Sequence, residues 1–250
     1  MSVRPRHVVC VLGKWKSLDE VEKVVTSVGG DGFALDEEYS IEAPDPRMKR
    51  AFEASRDRVR PSFDESDEKA IAEHKAVAYV LSPHMEPKDA QAVSARMLAL
   101  VAALLEAGGT AAKGESSGIA HGRTRWMELA KRVKDGDPLE RAAALLEAWV
   151  RRPLEDDDRA VHYSCGMHLL GEPDIELPSE MDPLDAVFWM DALGIYLAAE
   201  KPEDDLRDGE TFRPNEEHPR RILRAVACER YEEDDFFFNP YGYWNLSELK

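Results

Sequence analysis

Residues 162–171 read HYSCGMHLLG, which places two histidines, a serine and a cysteine within seven positions. Three chemistries use such residues. A zinc centre built from His162, Cys165 and His168 needs all three to converge within about 2.0 to 2.3 Å of one ion, with a fourth ligand or a water completing the shell. A Cys165–His168 pair needs the imidazole to draw the thiol toward thiolate. The third reading is a strand that ends in a buried turn, its histidines bonded to backbone. Side chains alternate along a strand, which puts His162 and Ser164 on one face and Tyr163 and Cys165 on the other. That separates His162 from Cys165, and no second Cys-x-x-Cys or His-x-x-x-His pair supplies further ligands. The expectation is therefore no metal, and a segment specified mainly by packing.

A second candidate is GESSGIAHG at 114–122, between an expected strand and an expected helix. Small residues before a helix let backbone N–H groups approach an anion. The spacing is neither a P-loop nor G-x-G-x-x-G. Ser116 as nucleophile with His121 as base lacks the G-x-S-x-G elbow. The third candidate is the aromatic end, where Phe237, Tyr241 and Trp244 offer the residue types that dominate interface hot spots, next to the acidic run 232–235. The same residues could instead form a last strand packed on the core.

The elements that must position these groups follow from apolar periodicity. HVVCVL is a buried strand stopped by Gly13. Ser17 and Glu20 have the spacing of a capping box for the amphipathic run LDEVEKVVTSV, which Gly29, Gly30 and Gly32 end, and FALDEEYSIEA is a second strand. HKAVAYVLS, a long helix starting near Pro87 and running through Leu105, and TAAKGES repeat that order. PRMKRAFEAS and ESDEKAIAEH are short surface helices between the two units. Beyond Gly118 come HGRTRWMELAKRV and PLERAAALLEAWVRR, separated by the turn DGDP, and a helix capped by Asp182. RILRAVACERY is a strand, and FFFNPYGYWNL is an aromatic hairpin or edge strand with a turn at 239–242. The acidic runs 155–158, 203–205 and 232–235 are expected to be solvated loops, none with calcium-loop spacing.

This order predicts an α+β (α/β-like) fold: a mixed sheet of two strand-helix-strand units, additional helices, and a C-terminal aromatic strand or hairpin. One globular domain covers 1–250, divisible into sub-units 1–118 and 119–250. Composition narrows the function. With 33 Lys and Arg against 50 Asp and Glu, the net charge of -17 disfavours a nucleic-acid surface and points to a basic protein as any macromolecular partner. The three cysteines, Cys10, Cys165 and Cys228, are widely spaced in or beside apolar runs, as reduced cytoplasmic thiols are. The short apolar run near the N-terminus fits neither a signal peptide nor a membrane span.

HKAVAYVLS, GESSGIAHGRTRWMELA, HYSCGMHLLGEPDIELP and the closing aromatic segment together resemble a family of uncharacterised bacterial proteins, a domain of unknown function. The resemblance covers much of the chain, is most specific at HYSCGMHLLG, and is weakest in the first strand-helix unit. It implies a compact α/β domain, with some relatives suspected to lie near toxin and immunity loci, and it assigns no catalytic residues.

Three functional expectations follow. The first is a non-enzymatic, immunity- or antitoxin-like domain without cofactor, binding a basic protein. The alternative is a small-molecule-binding protein or hydrolase-type enzyme with a pocket near 114–122 and 162–168, which requires Ser116, His121 and His162 to converge. The third is an oligomerising domain that uses the aromatic end.

Overall fold

The structure, a computed structural model, describes residues 3–56, 59–200 and 206–249. The first sheet is built on β1 (Val8–Gly13), all six residues of which are buried. β1 lies antiparallel between β3 (Ala76–Leu81) and β4 (Gly109–Gly114); β2 (Ala34–Ile41) pairs with β3 and β5 (Ile119–His121) with β4. Both expected strand-helix-strand units thus enter one sheet, in the order β2-β3-β1-β4-β5 and antiparallel throughout.

The continuous apolar character of β1 has a direct cause: both its faces are covered. Val9 and Val11 point into the main core, whereas Cys10 and Leu12 pack on Met48, Phe52 and Ile71. Those three belong to α2 (Met48–Glu53) and α3 (Glu65–Ala72), the two short helices. On the other face lie α1 (Leu18–Val24), which runs on into a π-helical turn at Val25–Gly29, and α4 (Pro87–Glu106). Buried residues of α4 fall at 90, 94, 97, 98, 100, 101, 104 and 105, one broad helical stripe that Leu100 widens.

α5 (Arg123–Asp135) and α6 (Pro138–Trp149) lead to a second sheet of six strands. These are β6 (Arg151–Asp156), β7 (Val161–Cys165), β8 (Asp174–Pro178), β9 (Thr211–Phe212), β10 (Arg221–Val226) and β11 (Tyr243–Glu248), in the order β6-β7-β8-β11-β10-β9. Only the β8–β11 pair is parallel. α7 (Pro183–Glu200) covers this sheet. One apolar cluster runs from Val9 and Val11 through Leu98 and Leu145 to Met190, Leu223 and Leu246, joining both sheets across α4, α6 and α7. The fold is α+β.

Several local expectations change. Ser17 has cap geometry but its side chain caps nothing; the first N–H of α1, that of Leu18, donates to Glu42 Oε1 at 2.7 Å. The capping box lies instead at Asp64 and Asp67, and Asp67 also accepts from the Arg123 N–H at 3.0 Å, tying α3 to the start of α5. Asp182 does cap α7, accepting from Leu184 N at 2.8 Å. Glu155 and Asp156 are strand residues rather than loop, because Asp156 has a cationic partner in Arg230. The run 232–235 is exposed turn, and the run 203–205 lies outside the described residues. β11 is an interior strand, not an edge, since it pairs on both sides; the turn before it closes through Gly242 N to Asn239 O at 3.0 Å.

Gly166 marks the turn after β7 with φ +125°, and a Cβ there would stand 2.3 Å from the Trp149 carbonyl oxygen. Gly209 also has positive φ, +91°, but faces only the end of the Arg224 side chain at 3.6 Å. Gly166→Ala is expected to lose about 3 kcal/mol or more in urea unfolding and Gly209→Ala about 1 kcal/mol. Equal losses would contradict this account of the turn.

Candidate functional site

β7 runs between β6 and β8, so all of VHYSC is buried. Alternation holds as the strand pattern requires: Tyr163 and Cys165 pack with Tyr243 in a small cluster on the outer side of the second sheet. From the opposite face His162 Nε2 bonds the Met181 carbonyl at 2.9 Å. After Gly166 the chain turns through a single 3-10 helix at Met167–Leu170, where His168 is buried. Burial pushes the Cys165 thiol well above its ordinary pKa, away from thiolate, and pulls His168 down to about 4. No hydrogen bond joins the two. Among the described residues, no group of three or more His, Cys, Asp or Glu side chains could hold a metal ion.

Ser116 is the second residue of the β4–β5 turn and is bound twice, donating to the Arg6 carbonyl at 2.8 Å and accepting from Val8 N at 2.9 Å. It staples the chain entering β1 to the end of β4. His121, the last residue of β5, bonds the Ala148 carbonyl through Nε2 at 3.3 Å and sits edge-on to Trp126, ring centroids 4.7 Å apart. Burial lowers it to about 4. Ser116, His121 and His162 therefore each hold a different carbonyl, and no hydrogen bond links them. His7 joins this set of buried imidazoles: it bonds Ser94 Oγ at 2.6 Å, Ser94 Oγ donates to the Leu169 carbonyl, and burial lowers the ring to about 3.

The aromatic end is anchored by polar groups. Asp174, 1 % exposed, accepts from Ser164 Oγ at 2.9 Å, Met167 N at 3.2 Å and Asn239 Nδ2 at 2.8 Å. Its carboxyl is nevertheless pushed up to about 7, because burial outweighs those three donors. Beside it, Arg230 reaches Asp156 at 2.8 Å and Glu176 at 2.9 Å, its guanidinium 4.0 Å from the Tyr163 ring centre and 4.8 Å from that of Tyr243. Burial alone would lower this group; Tyr243, Glu176 and Asp156 more than reverse that and keep it charged. Trp244 points the other way, into the main core, and is 8 % exposed, so it offers almost no surface to a partner. Phe237 is half-buried against Tyr231, 5.5 Å between ring centres. Tyr241 is half-buried, and the exposed aromatic of the segment is Phe236.

Two concavities lie closest in sequence to these candidate groups. A groove of about 590 Å³ runs along the β10–β11 connection, lined by Cys228, Tyr231, Phe238 and Tyr241 with Glu229, Glu232 and Glu233, and by no cation. A cleft of about 620 Å³ opens between β5, α6, β6 and the start of α7. His121 lines it together with Arg60, Arg125, Arg151 and Arg152, whereas Ser116, His162, Cys165 and His168 do not. These arginines come from three separate places in the chain and form no motif, so spacing alone could not single them out. No family model, curated protein or solved structure matches the chain.

The buried histidines make a pH prediction. His7, His121 and His168 have folded-state pKa values of about 3 to 4, below the ordinary 6.5, so the unfolded chain binds more protons over that interval. Their contribution is whole above pH 6.5 and is lost as pH falls toward 4. Asp174, raised, acts with opposite sign between about 4 and 7, one group against three. The melting temperature is expected to fall between pH 7 and pH 4.5, less steeply in His168→Gln. A flat or rising profile would contradict neutral, buried imidazoles.

Proposed function

We propose that the protein is a non-enzymatic binding domain of the immunity or antitoxin kind, which takes a basic protein partner in the groove along the β10–β11 connection. The carrying observation is the composition of that groove: Glu229, Glu232 and Glu233 around Tyr231, Phe238 and Tyr241, with exposed Phe236 alongside. Aromatic side chains give large contact area at low entropic cost, and the carboxylates select a cationic partner. The net charge of -17 acts in the same direction at longer range, speeding encounter with a basic protein at low ionic strength. The chemistry-bearing side chains support the same reading, because Ser116, His121 and His162 are each engaged with backbone and Cys165 is held as a thiol.

Affinity capture from the native organism's lysate, followed by binding measurements with the purified partner, tests this. The expected result is one basic protein whose association rate falls steeply with salt, and about tenfold or more on combining Glu229→Lys, Glu232→Lys and Glu233→Lys. These three residues are exposed, so the fold is expected to survive the change. An acidic partner, or a basic one that binds the triple variant equally well, would overturn the proposal.

A further inference from the structure

The cleft beside β5 has a character opposite to that of the protein as a whole. Four guanidiniums, those of Arg60, Arg125, Arg151 and Arg152, face two carboxylates, Glu147 and Asp191, in a chain of net charge -17. Three of the arginines are held in place, Arg151 donating to the Ala54 carbonyl at 3.1 Å. Arg152 is paired with Asp191 and donates to the Val150 carbonyl at 2.8 Å. Arg125 is paired with Glu147 and with Glu128, the latter at 2.9 Å. Glu147 is shared with Arg132 at 2.9 Å, so it does not neutralise Arg125 alone. Arg60 is exposed and has no ion-pair partner among the described residues.

The other wall is apolar. Val59, Ile119, Val150, Pro153, Leu184 and Val187 line it, and Leu184 is 79 % exposed, an uncommon position for a leucine at the first turn of a helix. A volume of about 620 Å³ lies within the range of small-molecule sites, which are mostly apolar with a few placed polar groups. One such group points to a ligand independently of the arginines. His121 is 3 % exposed, its Nε2 donates to the Ala148 carbonyl, and its Nδ1 has no hydrogen-bond partner. With the proton on Nε2, that Nδ1 is an acceptor, and a buried acceptor without a donor costs free energy that the O–H of a bound acid, such as a phosphate monoanion, would recover. The Nε of Arg125 is likewise buried and unpartnered.

We propose that this cleft is a binding site for a small amphipathic anion, with a carboxylate- or phosphate-type head among the arginines and an apolar body against Leu184 and Val187. Guanidinium groups match the planar geometry of such oxyanions, and held in place by Asp191, Glu128 and Glu147 they lose little freedom on binding. The site shares no lining residue with the acidic groove, so neither proposal depends on the other.

Titration calorimetry of the full chain with octanoate, octyl phosphate and octanol tests it. The expected result is one saturable site for at least one of the two anions, with octanol at least about tenfold weaker. Arg60→Gln and Leu184→Ser change exposed positions, so melting temperatures should stay the same while each variant weakens anion binding about fivefold. No saturable binding of either anion below about 1 mM, equal binding of octanol, or unchanged affinity in both variants would overturn the proposal.

Discussion

The carboxyl of Asp174 ties β8 to two stretches of chain, 164–167 and 239, that lie about 70 residues apart. It receives Ser164 from β7, the backbone of Met167 from the turn that follows, and Asn239 from the approach to β11. Asn239 in turn donates to the Glu172 carbonyl and accepts from Tyr241 N, which shapes the turn that delivers β11 beside β8. This is the single parallel junction in the sheet, and it cannot be made by a tight hairpin. A buried polar centre with each donor aimed at one carboxyl does what apolar packing cannot: it specifies which strand lies next to which.

The Arg230 cluster completes the same face. Asp156 and Glu176 bring two carboxylates into the sheet, and one guanidinium between Tyr163 and Tyr243 answers both. Without Arg230, Glu176 of β8 would lose its ion pair and Asp156 of β6 would keep only the longer one to Arg159, at 3.9 Å. With it, an acidic run becomes the end of a strand. The interior thus uses charge to fix the sheet, while the remaining carboxylates of 229 and 232–235 stay on the surface, where they can act on a partner.

Much of this was legible in the sequence because local signals agreed with tertiary ones. The alternation in HYSC, the start of α4 at Pro87 and the Asp182 cap each depend on a few neighbouring residues. Where the reading departed from the structure, a distant residue decided the outcome. Ser17 lost its capping role to Glu42, Asp156 gained a partner in Arg230, and Tyr243–Glu248 lies inside the sheet rather than at its edge, beside the Asp174–Asn239 bond. β8 went unread, since a five-residue strand containing Asp174 and Glu176 has no apolar run to announce it. The cleft was illegible for the same reason: Arg60, Arg125, Arg152 and Asp191 meet only after two sheets and α7 have packed. Of the candidate catalytic groups His121 lines the cleft beside β5, and it arrives there among arginines rather than beside Ser116.

On this account HYSCGMHLLG and the aromatic end are two halves of one packing unit centred on Asp174, and the two proposed binding sites lie on the charged surfaces around it. The most direct measurement is a double-mutant cycle in urea unfolding with Ser164→Ala and Asn239→Ala. Joined through one carboxyl, the two side chains should show a coupling of about 1 kcal/mol or more. Additive losses, with a coupling indistinguishable from zero, would contradict the claim that Asp174 binds the two segments into one unit.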